Sequence, residues 1–215
     1  MDKRFARILT VTQIKTLDEL FSQEEFARFF YLTGGTALAG FYLFHRYSDD
    51  LDFFTNELEM DFLWPLLQSL REKTGLRVVS RTPRYIRTVF EGTLRVDFVQ
   101  DVPFRTGVPV RHGAWQVDSL ENILLNKISA IQGRLDAKDY VDLYFLLKDK
   151  PFDIFKILGK AKQKDTSIDP FVWSRVIGDV ETLTVMPRMI TPFKHEELLE
   201  FYRALRKNIL TSLRK

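Results

Sequence analysis

The chain has no cysteine in its 215 residues, which excludes disulfides and thiolate-bound zinc. Histidine is scarce too. His45, His112 and His195 stand far apart, and no two have the spacing of an imidazole metal site. A metal site here must therefore be built from oxygen ligands, which selects magnesium, calcium or manganese. Long apolar runs are missing as well: no stretch approaches the ~18 apolar residues of a membrane span. The basic start MDKRFARILTVTQIKT holds too short an apolar segment for a signal peptide. A cytoplasmic location with no membrane partner is the expectation. Neither sign of charge is in large excess, since 32 Lys and Arg oppose 29 Asp and Glu for a net +3. That mild basic bias accommodates a nucleotide or nucleic-acid partner without selecting one.

What the chain does have is 45% hydrophobic residues, enough over this length for a core without staples. Residues 11–30 predict a helical stretch with Thr16, Asp18 and Ser22 as candidate caps. Phe30 to Thr33 predicts a short strand into Gly34-Gly35, followed by a helix over Ala37 to Phe44. Asp50 to Thr55 predicts a second strand and Asp61 to Lys73 a helix. Three further strands follow at Leu76 to Arg81, Ile86 to Glu91 and Leu94 to Gln100, with Glu91-Gly92-Thr93 as a hairpin turn. A loop rich in Pro and Gly comes next, and from Ser119 the pattern is helical. The helices are expected at Leu120 to Gln132, Ala137 to Leu147, Ile154 to Lys162, around Phe171 to Ile177, and His195 to Leu213. The order implies an α/β class: a sheet core over residues 1–118 and a helical region over 119–215, with the seam in the Pro103–Asp118 loop.

RYSDDLDFF is the most informative segment. Side chains alternate along a strand, so Asp50 and Asp52 share one face while Leu51 and Phe53 face the core. Two carboxylates one strand-step apart repel each other, and a divalent cation held by both removes that cost. In LRVDFV, Leu94, Val96 and Phe98 make an apolar face, and Asp97 projects from the other beside Arg95. Three acids from two strands suit two-metal phosphoryl-type transfer, with Asp97 completing the site or acting as base. A solvated strand end is the other reading of D-x-D, and both stay open. The Gly34-Gly35-Thr36 turn lets backbone amides approach a phosphate, with Thr36 capping the helix or donating to the phosphate. A purely structural turn is the alternative, and the P-loop pattern is missing.

Lys127 falls in the apolar stripe of Leu120, Ile123, Leu124 and Ile131. Its ammonium needs an anion: a triphosphate, a nearby acid, or water reached by snorkelling. In RLDAKDYVDLYFLL, Asp139 and Asp142 share a face. Asp142 either orients Lys127, accepts the proton of an attacking hydroxyl, or pairs with Lys138, Arg134 or Lys127. Arg46 and Ser48 contact phosphate or order the loop before the acids, and His45 reads as structural.

Taken in order, LTGGTALAG, HRYSDDLDFF, LRVDFV and NKISAIQGRLDAKDYVDLYFLL resemble the AbiEii/AbiGii-type toxin nucleotidyltransferases of the DNA polymerase β-like superfamily. The likeness covers residues 18–150. It implies a nucleotidyltransferase-like mixed β-sheet core flanked by helices, with a C-terminal helical region. It also implies that Gly34, Gly35 and Thr36 form the first nucleotide-binding motif, that Asp50 and Asp52 bind the metal, Mg2+ or Mn2+, and that Asp97 is the further strand acid. Lys127 and Asp142 correspond to the helical nucleotide-binding and catalytic motif. The implied reaction moves a nucleoside monophosphate from a nucleoside triphosphate to a hydroxyl of RNA, such as tRNA, or of protein. The implied partner is a cognate antitoxin in a toxin–antitoxin or abortive-infection pair. Transfer to a small molecule, as in antibiotic modification, and a catalytically silent nucleotide-binding module are the alternatives. The chain departs from the pattern at Asp49, whose D-D-x-D run leaves strand register to decide which acids meet a metal.

Overall fold

A computed structural model describes residues 5, 7–57 and 59–214. Part of the basic start weighed as a signal peptide, Met1–Arg4 and Ala6, lies outside the described residues, as do Leu58 and Lys215. The chain forms two compact units, Met1–Leu120 and Glu121–Lys215.

The first unit opens with α1 (Val11–Phe21), capped by Thr10. Thr10 Oγ1 accepts from the Gln13 amide at 3.1 Å, and Gln13 Oε1 accepts from the Thr10 amide at 2.8 Å, a reciprocal capping box. The caps expected from the sequence serve otherwise. Thr16 is buried inside α1, Asp18 accepts from Trp115 Nε1 at 2.9 Å, and Ser22 ends the helix. The expected single helix is two, broken at Ser22-Gln23 before α2 (Glu24–Phe29). Strand β1 (Tyr31–Thr33) runs straight into α3 (Gly34–Ala37), which continues as a π-helical turn over Leu38–Leu43 and stops at Phe44 with φ 54°. The helix starts three residues before the expected Ala37, because Gly34 at φ +69° turns the chain in a single residue.

Strand β2 (Leu51–Thr55), helix α4 (Met60–Thr74) and strands β3 (Arg77–Thr82), β4 (Tyr85–Phe90) and β5 (Leu94–Gln100) follow. The Pro- and Gly-rich segment is not all loop, a correction to the expectation. It contains a hairpin of β6 (Val110–His112) and β7 (Trp115–Val117), turning at Gly113 with φ 68°. Strands of three residues are too short for their alternation to show in sequence. Among the described residues, seven strands form one mixed sheet in the order β3-β4-β5-β2-β1-β7-β6, with β2/β5 and β1/β7 parallel. One face packs on an aromatic cluster: Phe26 meets Phe53 at 5.1 Å between ring centres, and Phe53 stacks on Phe98 at 5.7 Å. Phe26, Phe30, Phe53 and Phe98 are at most 2% exposed, and burying each such side chain contributes roughly 1.5–3 kcal/mol.

The second unit is helical: α5 (Leu120–Gly133, opening at the unit boundary), α6 (Ala137–Leu147), α7 (Ile154–Lys164), α8 (Pro170–Val176), a 3-10 turn over Ile177–Thr182, and α9 (His195–Ser212). Asp136, Asp153 and Asp169 cap α6, α7 and α8 by accepting first-turn backbone amides. Trp173, Tyr140 and Tyr202 fill the core, and the Tyr202 hydroxyl donates to the Tyr140 carbonyl at 2.8 Å.

Candidate active site

Strand register gathers the charged residues of the first unit. Thr33 of β1 stands opposite Asp52 of β2, Asp52 opposite Asp97 of β5, and Asp97 opposite Arg87 of β4. These four make a polar row across the sheet. The residues beside them in the register, Leu32, Phe53, Phe98 and Ile86, form the buried row of the other face. Neighbouring strands run about 4.8 Å apart, so Asp52 and Asp97 are held side by side by the backbone.

Arginines meet Asp97 of the row and Asp50, which just precedes β2. Arg87 grips Asp97 with two parallel bonds, Nε to Oδ1 at 2.9 Å and Nη2 to Oδ2 at 2.8 Å. That bonding holds the Arg87 guanidinium firmly protonated, above its ordinary range. Arg95 bonds Asp50 through Nη2, and its Nε lies 3.8 Å from Asp97. One exposed cation therefore straddles two carboxylates. Tyr85 is pushed up to about 12, first by burial and then by the charge and hydrogen bond of Asp97. Among the described residues, no three His, Asp or Glu side chains are gathered as a metal-holding group; Asp50 and Asp97 are engaged by arginines instead.

The glycine turn abuts the row. A Cβ added at Gly34 would collide with the Asp52 carboxylate, and one at Gly35 would collide with the Arg46 guanidinium and touch Ser48 Oγ at 3.0 Å. Both positions require glycine because the acid and its supporting loop lie against the backbone. Thr36 is fully buried, and its hydroxyl donates to the Asp50 carbonyl. Arg46 is 1% exposed and donates to the Tyr47 carbonyl at 2.9 Å, and Ser48 Oγ lies 3.4 Å from Asp50 Oδ1. Thr36, Arg46 and Ser48 thus order the loop that delivers the acids. His45 is buried.

Three contributors escape the motifs. Gln13 is buried, and its Nε2 donates to the Ser48 carbonyl at 2.9 Å and reaches the Asp50 carbonyl at 3.5 Å, tying the start of α1 to the acid loop. Arg87 could have been found by counting back from the Glu91–Thr93 turn, since pairing Phe90 with Leu94 puts Arg87 on Asp97. Asp118, fully buried, accepts from Thr33 Oγ1 at 2.8 Å, from Arg105 Nη2 at 2.8 Å and from the Ser119 amide at 2.9 Å. Burial and then the Asp118 charge push the neighbouring Tyr31 phenol far above its ordinary value. Nothing in one sequence pairs Asp118 with Thr33, 85 residues away.

In the second unit Lys127 meets acids. Its Nζ lies 2.8 Å from Asp139 Oδ1 and 2.6 Å from Asp142 Oδ2, and Arg134 Nε adds a 2.8 Å bond to Asp139 Oδ2. Lys127, Asp139 and Asp142 are all buried. Burial alone would raise the Asp139 carboxyl, but the Lys127 charge and the bonds from Arg134 and Lys127 outweigh it and hold it below the usual carboxylate value. Of the pairings open in the sequence, Lys127–Asp142 is present, and Asp139 is its second partner.

A mixed sheet presenting paired acids beside a glycine turn is the arrangement of a nucleotidyltransferase. A candidate nucleotidyltransferase from H. pylori shares the fold with TM-score 0.58 at 18% identity, covering 96% of this chain and 98% of that one. MenT4, the nucleotidyltransferase toxin Rv2826c of Mycobacterium tuberculosis H37Rv, does so at TM-score 0.52 and 14% identity over 92% and 82%. An uncharacterized Aquifex aeolicus protein, aq_aa25, is 27% identical over 147 residues, spanning 65% of this chain and 68% of its own. Residues 15–206 match the family described as "Nucleotidyl transferase AbiEii toxin, Type IV TA system". The chain belongs to this AbiEii toxin family and is a nucleotidyltransferase. Among the described residues no helix is long and apolar enough to cross a membrane.

Proposed function

We propose that the protein moves a nucleoside monophosphate from a nucleoside triphosphate to a hydroxyl of RNA, as the toxin of a pair whose cognate antitoxin restrains it. The observation that carries this reading is the row Thr33–Asp52–Asp97–Arg87 set against Gly34. The donor set suits a hard divalent cation, because it consists of carboxylates alone. Arg95 supports the fit, since its guanidinium already places positive charge between Asp50 and Asp97. Asp50, Asp52 and Asp97 would hold Mg2+ or Mn2+ when Arg95 lets go. The ion supplies Lewis-acid charge to the triphosphate and to the attacking oxygen.

The chain's own residues do the rest. The Gly34-Gly35 turn leads into the positive end of α3, which favours an anion. Arg95, 45% exposed on a flexible stem, turns to the β- and γ-phosphates once the acids release it. The acceptor oxygen then bonds to the α-phosphorus, the bond from that phosphorus to the oxygen bridging to the β-phosphate breaks, and pyrophosphate leaves with the electron pair. The acceptor proton passes to Asp97, whose oxygens keep lone pairs beyond the two bonds from Arg87. Thr36, Ser48 and Arg46 keep the acid loop in register. Lys127 and Asp142 serve as the charged helical motif of the second unit.

The test incubates purified protein with Mg2+, each α-labelled triphosphate and total RNA. Label should enter RNA with wild type and vanish with Asp52→Ala. Equal labelling by that variant sinks the reading, and transfer to an aminoglycoside but not to RNA decides for a small-molecule acceptor.

A further inference from the structure

The two units differ in charge. Residues 1–120 hold 15 Lys and Arg against 16 Asp and Glu, whereas residues 121–215 hold 17 against 13. The net positive charge of the protein thus resides in the helical unit, and α9 concentrates it. It opens with Glu196, Glu197 and Glu200 and continues with Arg203, Arg206 and Lys207, with Arg214 just beyond. Arg203 is engaged, with Nε and Nη2 on Glu181 at 2.7 and 2.9 Å and Nη1 on Glu196 at 2.9 Å. Two surface depressions share Arg206, whose charge also acts on the Glu181 carboxylate. One is bounded by Arg203, Arg206, Lys207 and Arg214, the other by Arg175, Gly178, Asp179 and Arg206. Arg206 Nη1 lies 3.3 Å from where a Cβ of Gly178 would stand, so the missing side chain lets the guanidinium settle against the chain.

Cations in the last turn of a helix offset its dipole, which covers Arg175 in α8. Helix α9 has no basic residue in its last turn, so the dipole does not account for Arg206 and Lys207. Arg175 belongs to α8 and comes to the same strip. From Arg206 to Ser212 the axis rises about 9 Å at 1.5 Å per residue, so one phosphate cannot touch both ends and a chain of phosphates can. Guanidinium forks match phosphate oxygens two at a time. We infer that the strip formed by Arg175, Arg206, Lys207 and Arg214 binds the phosphate backbone of the acceptor RNA. This inference rests on RNA being the acceptor.

Full-length protein is titrated with fluorescent single-stranded RNA, and anisotropy is followed between roughly 50 and 200 mM salt. Each lost phosphate contact should lower the log–log salt slope by about 0.7 for a single strand. Arg175→Ala/Arg206→Ala should therefore flatten it by about 1.4 and weaken binding about tenfold or more. Lys156→Ala/Lys160→Ala, which removes the same charge from α7, should leave slope and affinity near wild type, and circular dichroism melting confirms that all variants fold. Equal loss in both double variants, no loss in the first, or no binding of RNA by wild type overturns the inference. So does strip-dependent binding to phosphatidylserine vesicles without binding to RNA. Label transfer by wild type reports separately on the acceptor. RNA bound through the strip but never labelled leaves the surface standing and removes the proposed reaction.

Discussion

At Gly34 one missing methyl group decides whether Asp52 can occupy its place, because the carboxylate lies where a Cβ would stand and φ is positive. Gly34→Ala should lose nucleotide transfer and cost about 1–2 kcal/mol of stability from the left-handed backbone alone. Urea unfolding and the labelling assay read the two effects separately. Gln13 acts at a distance from any phosphate chemistry. Its side chain satisfies two carbonyls of the acid loop and one amide of the helix cap. Gln13→Ala leaves those groups unpaired, at roughly 1–3 kcal/mol for each that is truly buried. We expect transfer at saturating triphosphate to fall several-fold while Gln13→Glu, which keeps the cap acceptor but loses the amide donor, stays low. Recovery by Gln13→Glu would place the effect in the cap instead of the loop.

Among the elements, strand pairing does what no single residue does: it carries Asp97 to Asp52 and Arg87 to Asp97. The D-x-D alternation, the acid inside LRVDFV and the glycine turn were legible in the sequence because each follows local periodicity. The β6–β7 hairpin, the break at Ser22 and the early start of α3 were not, since three-residue strands and one-residue turns leave no period to count. The Thr33–Asp118 bond is likewise set by tertiary pairing. On α5 and α6 the lysine within the apolar stripe leaves a triphosphate, an acid or water open, and the fold supplies two acids. Lys127→Met should cost about 3–5 kcal/mol in denaturant unfolding, because carboxylates buried with a cation are left without it. Acid should act through the same cluster. Asp139 titrates below its ordinary 3.8 in the folded chain. Its contribution is therefore complete above that pH and is lost as pH falls through the lower folded value. In Lys127→Met the acid limb of the stability curve should begin at higher pH, read by circular dichroism; an unmoved limb would remove Lys127 as the cause.

For the molecule as a whole, a cation taken up by the acid row should stabilise the first unit by mass action. At about one hundred times its dissociation constant, the gain is about 2.7 kcal/mol. For a chain of this size that is about 5–10 °C in melting temperature. Differential scanning calorimetry with Mn2+ should show the rise, EDTA should abolish it, and Asp52→Asn should not show it. A rise of equal size in that variant would place the ion elsewhere.

The sheet has an unusual dependence on one of its three-residue strands. Strand β1 contributes three residues, yet among the described strands it alone joins the four-stranded side β3-β4-β5-β2, through β2, to the β6–β7 hairpin, through β7. Its last residue leads directly into the glycine pair. Any opening that frees Tyr31–Thr33 would divide the sheet and release the glycine turn in one event. The Gly34-Gly35 turn therefore depends on the cohesion of the sheet as well as on the Thr36 bond to the Asp50 carbonyl and the packing of Asp52.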